Sequence, residues 1–446
     1  MEKNDFTQGN ILSSLIRFAL PVLAALFLQA MYGAVDLLVV GRFAETADVS
    51  GVATGSLLIH TFTMLVTGLA MGITVLVAQA VGRRDREEAS RGIGGGIFLF
   101  ALVAAVMTAL LVCLSRELSA LMQAPPEAME QTNAYVKICG MGSAFIVAYN
   151  LLGSVFRGLG DSKTPLLTVA IACAVNIAGD LLFVAVFHMG AAGAALATVI
   201  AQGVSVLISV IIIKSRTLPF DFSTKYLKPD FKVIKHILKI GVPVALQDFL
   251  VGISFLVVQT IVNSISVTAS AGTGVAEKVC AFLMLVATSY MQSMSAFVAQ
   301  NIGAGQPARA KRALMYGILT SLLAGTLTGA AAFFFGDVLA SLFSSDGNVI
   351  MLAHEYLKSY AIDCVLTSFL FCFIGYYNGI KKTFFCMIQG IFGAFFIRIP
   401  AALLISRVKN VTLFMIGLAT PISTVVQIII CLAMFALLMR REKKYE

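Results

Sequence analysis

Leu15–Val40 reads LIRFALPVLAALFLQAMYGAVDLLVV, and apart from Arg17 near its start the only charged side chain in it is Asp36. The run exceeds the ~20 apolar residues that a bilayer-spanning helix needs. It is also too long for the apolar core of a signal peptide, so it is expected to be a retained membrane helix. A carboxylate in such a helix costs about 2.5–3.5 kcal/mol on insertion scales, and the chain carries a second one, Asp180, in Asn176–Phe187, NIAGDLLFVAVF. Neither acid has an evident basic partner nearby in sequence. Side chains this costly to insert point to work at the site, and the work expected of unpaired acids in lipid is carrying a cation.

The same reading extends along the chain. Of its 446 residues, 59% are hydrophobic and only 12% charged, with a mean hydropathy of +0.92, far from the composition of a water-soluble domain. Apolar runs recur at 15–40, 49–81, 92–114, 134–156, 165–187 and 194–213, then at 237–262, 271–302, 313–335, 356–377, 383–405 and 411–439. The expectation is an all-α integral membrane protein of twelve transmembrane helices with no soluble domain. The formal charge of +9 raises the possibility of nucleic acid, but the placement of the charge argues for topology instead. Assigned to alternate sides of twelve spans, Lys and Arg fall about four to one on the side holding both termini. Only Arg42, Arg116, Lys137, Lys358, Arg407 and Lys409 lie opposite, while Lys278 and Arg398 fall inside spans. Both termini are therefore expected in the cytoplasm, with the protein in the plasma membrane and the lipid bilayer as its environment. No nucleic-acid partner and no obligate protein partner is expected. The eight Cys fall in the predicted spans without metal-like clustering and read as inert apolar residues.

The chain is written twice. Arg17–Val22 (RFALPV) matches Lys239–Val244 (KIGVPV), Ala78–Gly82 (AQAVG) matches Ala299–Gly303 (AQNIG), and Gly160–Thr164 (GDSKT) matches Gly379–Thr383 (GIKKT), at offsets of 222, 221 and 219. Six spans per copy is an even number, so both copies enter from the same side. The two six-helix lobes are then expected to be related by a pseudo-two-fold axis along the membrane normal. The expected divisions are a lobe over 1–214, a Lys-rich linker over 215–235 and a second lobe over 236–446. Pro21 and Pro243 sit in the first helix of each copy, where a missing backbone donor permits a kink or a static bend. GLGDSKT at Gly158–Thr164 lacks the spacing of a phosphate-binding loop and joins two spans, and Gly94-Gly95-Gly96 reads as close helix packing.

Helical spacing puts Gln29, Tyr32, Gly33 and Asp36 on one stripe of the first span. It also puts Asn176 and Asp180 on one face of the fifth, and Thr198 and Gln202 on one face of the sixth. Counted from the helix ends, Asp36, Asp180 and Thr198 reach one depth, roughly 6–10 Å below the outer surface at 1.5 Å per residue. Two carboxylates sharing such a site repel, and a shared proton or a bound Na⁺ is the natural neutraliser. At the repeat offsets Asp36 maps to Val258, Asn176 to Phe395 and Asp180 to Ile399, so the polar group exists in one copy only. The second copy carries Glu277, Lys278, Asp363 and Arg398 at similar depth, two acids and two bases expected to neutralise one another. Asp248 beside Gln247 falls near mid-membrane, placed either to attract a cationic substrate or to pair with a polar neighbour. Met64, Met284, Met291 and Tyr290, with Gln29 and Tyr32, read either as an adaptable substrate cavity or as ordinary packing.

Twelve spans in two lobes, with Pro21 and Asp36 on the first helix and Asn176, Asp180 and Thr198 on the fifth and sixth, resemble the multidrug and toxic compound extrusion (MATE) family over nearly the whole chain. The polar set looks most like its DinF-type branch, whose first lobe binds the coupling cation; Tyr135 and Asn150 on the fourth span match that pattern as well. Asp248, Glu277 and Asp363 do not reproduce the second-lobe acids of the NorM-type branch. The resemblance implies an efflux antiporter that exchanges inward H⁺ or Na⁺ for small amphiphilic, often cationic, organic compounds by alternating access. It implies no cofactor beyond the coupling ion. Two other classes stand beside it: a lipid-linked oligosaccharide flippase of the same broad superfamily, for which more spans and a cationic cavity are expected, and a channel, which needs a continuous polar pore. An enzyme is not expected, because His60, His188, His236 and His354 are scattered and no metal-binding pattern of His, Asp and Glu appears.

Overall fold

The structure is a computed structural model that describes residues 6–216, 220 and 224–442. Parts of the expected linker (217–219 and 221–223), and Lys3, Lys443 and Lys444 from the charge count, lie outside the described residues. Among the described residues, eleven helices are long and apolar enough to cross a membrane, and a bent pair passes the same test when its two halves are taken as one span, which brings the number to twelve. They are α1 (Ile11–Phe43), α2 (Thr46–Arg83), α3 (Arg86–Cys113), α4 (Pro126–Met141 and Ser143–Gly158), α5 (Lys163–Val186) and α6 (Gly190–Ser215). The second series is α7 (Phe231–Asn263), α8 (Val267–Gly303), α9 (Pro307–Phe334), α10 (Gly347–Gly379), α11 (Thr383–Ser406) and α12 (Leu413–Arg440). Each expected apolar run falls on one of these, because in hydrocarbon every backbone donor must be satisfied within its own segment and the helix does this alone.

Polar caps mark several helix starts. Asp85 accepts from the Glu88 amide at 2.9 Å at the head of α3. Asp161 accepts from the Lys163 and Thr164 amides, each at 3.0 Å, at the head of α5, and Asp346 takes the Asn348 amide at 2.8 Å before α10. Each carboxylate satisfies donors that the first helical turn leaves open. Two short helices absent from the sequence reading, Ser115–Leu121 and Gly336–Ser341, follow α3 and α9.

Helix α4 is sharply bent. Helix α1 runs without a break through Pro21, whereas the two halves of α4 meet at 56°. The joint is Gly142-Ser143, a pair of residue types at which helices kink, and the Val199 side chain from α6 fills the place a Cβ on Gly142 would take. Helices α5 and α11 widen into π-helical turns over Leu181–Val186 and Phe392–Arg398.

The chain divides into two compact units. One comprises Arg17–Ala245, Ala299–Gln306 and the described residues before Asn10; the other comprises Asn10–Ile16, Leu246–Val298 and the chain from Pro307 on. The first is built on a core that includes Ile73, Phe100, Leu111, Ile146 and Phe156. A smaller cluster in the same unit joins Met71, Val75 and Ala78 of α2 to Ile240 and Val244 of α7 and Ala299 of α8. There the ends of α2 and α8 also touch reciprocally: Gly82 packs on the Gln300 carbonyl, and Gly303 on the Gln79 carbonyl. The second unit has its own core around Val262, Val279, Tyr356, Leu357 and Ile416.

Candidate functional site

Asp36 of α1, Asn176 and Asp180 of α5 and Thr198 of α6 meet inside the first unit, and all four are buried. The Thr198 hydroxyl donates to Asp36 Oδ2 at 3.2 Å, and Asn176 Nδ2 lies 3.5 Å from Thr198 Oγ1. The Asp36 and Asp180 carboxyls are within hydrogen-bonding reach of each other. Asp180 is 0% exposed and is the last residue of the regular α5 helix before it widens into π-helical turns, a departure that recurs at functional sites.

The oxygens outnumber the donors. Asp36 Oδ1, both carboxyl oxygens of Asp180 and the side-chain oxygen of Asn176 are buried without a protein hydrogen-bond partner. Among the described residues the ion pairs are Arg83–Glu88, Arg91–Glu87 and Arg216–Asp161, so neither site acid is paired to a base. Buried carboxylates left this way are costly unless something positive joins them. An all-oxygen set of this kind suits a proton shared between the acids or a small hard cation.

Around this centre the other expected residues divide. Tyr32, one turn before Asp36, lies beside the side chains of Gln29 and Gln202 and close to Asp36. Tyr135, on the first half of α4, is buried against Gly55 of α2 and near Asp36, Tyr32 and Asp180. Asn150, on the other half of α4, has its polar atoms committed elsewhere: Nδ2 donates to the Ile146 carbonyl at 2.8 Å and Oδ1 accepts from Thr67 at 3.0 Å. Thr67 was not anticipated, and no local pattern flags a partner 83 positions away.

The residues suggested for a substrate cavity lie in both units, with Gln29, Tyr32 and Met64 in the first and Gln247, Asp248, Met284, Tyr290 and Met291 in the second. Gln247 packs over Gly390, Asp248 is half-buried, Tyr290 is buried, and the Met291 carbonyl packs against Gly375.

The charged group of the second unit departs from expectation. No ion pair joins Glu277, Lys278, Asp363 and Arg398. Lys278 is exposed. Asp363 is satisfied by hydroxyls instead, accepting from Thr424 at 2.6 Å and Thr367 at 2.9 Å. Arg398 donates to the Ser254 hydroxyl at 2.9 Å, with its guanidinium 4.1 Å from the centre of the Phe255 ring. Thr367 stands one turn from Asp363 and was legible by spacing; Thr424, 61 positions on, was not.

Comparison with known proteins agrees with this architecture. The chain is 28% identical over 393 residues to the probable multidrug resistance protein YpnP of Bacillus subtilis, covering 87% of this chain and 86% of that one. It is 23% identical over 397 residues to the multidrug export protein MepA of Staphylococcus saprophyticus, covering 86% of each. A solved outward-facing multidrug resistance MATE family transporter of the MOP superfamily superimposes with a TM-score of 0.92 at 19% identity, over 100% of this chain and 99% of that one. The MatE family matches twice, at residues 21–182 and again at 243–404, at the spacing of the sequence repeat. Matched in both of its copies and over most of its length, the chain belongs to the MatE family of membrane transporters.

Proposed function

We propose that this chain is a cation-coupled exporter in which inward H⁺ or Na⁺, taken up at Asp36 and Asp180, drives an amphiphilic, often cationic, organic compound outward. The observation that carries the reading is the buried carboxyl pair with unpartnered oxygens and no basic residue. An uncompensated acid pair binds a cation differently before and after a rearrangement, and only such differential binding lets an ion shift a conformational equilibrium. Asn176 and Thr198 orient the pair and supply neutral oxygens should Na⁺ be the ion. In this scheme the cation removes the repulsion between the acids, and α1 bends at Pro21, where the backbone lacks a donor. Tyr32 and Gln29, on the same helix as Asp36, transmit the change towards the substrate. The position of the unpartnered acid pair in the first copy favours a DinF-like member, and the names of the relatives favour multidrug substrates. The charge bias favours cytoplasmic termini in the plasma membrane.

The test is dye efflux from proteoliposomes under separately imposed pH and Na⁺ gradients. Wild type is expected to export under one of them, and Asp36→Asn and Asp180→Asn are expected to lose that dependence. Undiminished gradient-driven export by both variants would sink the coupling site; single-channel current steps would replace the exporter with a channel.

A further inference from the structure

We propose that the start of α7, with the turn before it, is a docking surface for anionic phospholipid headgroups on the side carrying the basic loops. This does not depend on the exchange mechanism. The segment Leu227–Lys235 reads LKPDFKVIK, and Lys228, Lys232 and Lys235 are exposed. Phe231 between them is 78% exposed and Leu227 just before them 41%, so large apolar side chains stand beside the lysines. Phe231 and Lys235, one turn apart, share a helix face.

Three observations argue that this is a built surface. First, lysines in the opening turns of a helix oppose its dipole, whose positive end lies there. The first turn of α7 holds no acid, and the Asp230 carboxylate before it is taken by the Lys232 and Val233 amides at 3.0 and 3.2 Å. Against this one carboxylate stand three lysines, so net positive charge is left at an end of the helix that disfavours it, as expected where an anion answers it from outside. Second, the segment is clamped on both sides of Lys228 and Phe231: Gly94 and Gly95 of α3 leave room for the Tyr226 carbonyl and the Val233 side chain. Third, α7 has 33 residues and is about 50 Å long at 1.5 Å per residue, against about 40–45 Å for a whole bilayer. Its ends therefore reach the headgroup layers. Glu87, Glu88 and Asp161 pair with Arg91, Arg83 and Arg216, and none of these ion pairs includes the three lysines.

Cationic side chains flanking an exposed aromatic match a layer that is anionic at its surface and apolar just beneath. The chain contains no Trp, so Phe231→Trp in the full-length protein supplies a single fluorophore at the surface. Its quenching is compared in vesicles containing brominated phosphatidylglycerol or brominated phosphatidylcholine. With roughly a fivefold contribution per lysine near an anionic surface, phosphatidylglycerol is expected to be preferred at least fivefold. In Lys228→Gln/Lys232→Gln/Lys235→Gln the preference falls to within about twofold, and high salt weakens it in the parent. Equal quenching by the two lipids, or a preference unchanged in the triple variant, overturns the proposal. Leu227→Trp repeats the measurement if Phe231→Trp does not fold. Because the readout is lipid contact, it can fail while the exchange mechanism stands, and the reverse.

Discussion

The acids of the first unit, on α1 and α5, and Asp363 of the second, on α10, are treated in opposite ways. Asp363 has both carboxyl oxygens bonded to hydroxyls, and the buried Arg398 is held by Ser254 and Phe255. Asp36 and Asp180 neighbour each other with carboxyl oxygens left unpartnered. A satisfied group contributes to one conformation; an unsatisfied one stays responsive to whatever neutralises it. The difference teaches that duplication of a six-helix fold does not duplicate its polar content: Asp363 is satisfied by hydroxyls, whereas the Asp36 and Asp180 site keeps the unpartnered carboxyl oxygens at which a coupling ion is proposed to act.

This contrast can be broken most forcefully at Asp363. Replacing it with Leu leaves the buried Thr367 and Thr424 hydroxyls without their acceptor, and a loss of about 1–3 kcal/mol in stability is expected for each, read as a marked drop in the thermal transition of detergent-solubilised protein. At the other cluster the sign reverses. Asp180→Asn removes like-charge repulsion, so an unchanged or raised transition temperature is expected, alongside a loss of gradient-driven efflux of about a hundredfold, equivalent to about 2.7 kcal/mol. A lowered transition for Asp180→Asn would mean that the acid is structural, like Asp363.

Where the two copies are alike, substitutions should cost alike. Gly82→Ala and Gly303→Ala each drive a methyl into the backbone carbonyl of the opposite helix end; about 1–3 kcal/mol is expected from each, and urea-titration midpoints that differ widely would show the contact to be unequal. Thr198→Ala removes the one protein hydroxyl bonded to Asp36. About 1 kcal/mol is expected, visible as a several-fold weaker dependence of efflux on the driving ion, whereas Thr198→Ser should restore it. Lys278→Gln, on an exposed side chain, should change neither stability nor efflux measurably; a substantial effect would reinstate the four-residue charge network.

Much of this was readable along the chain. The spans follow from apolar runs, because lipid forces backbone hydrogen bonds to close locally. Asp36 and Asp180 stand out because a carboxylate in such a run is costly, and Asn176 joins Asp180 through the one-turn spacing of a helix. Asn150 is the instructive case: its residue type and span suit the site, but its amide is bonded to Thr67 and Ile146, which depends on the rotation of α4 beyond its 56° bend. The bend at Gly142, where Val199 of another helix approaches closely, is a steric fact with no local signature.

Composition and periodicity alone thus decide the spans, the duplication, and the presence of two buried acids in the first copy with no counterpart at the repeat positions, since each depends on neighbours within a turn or two of one helix. Whether two acids 144 positions apart come within reach of each other, whether Asp363 meets a base or the Thr424 hydroxyl, and which helix kinks are settled only when helices pack. Those outcomes turn on ångström-scale rotations and small-residue contacts between distant segments, and hydrophobic patterning is indifferent to them.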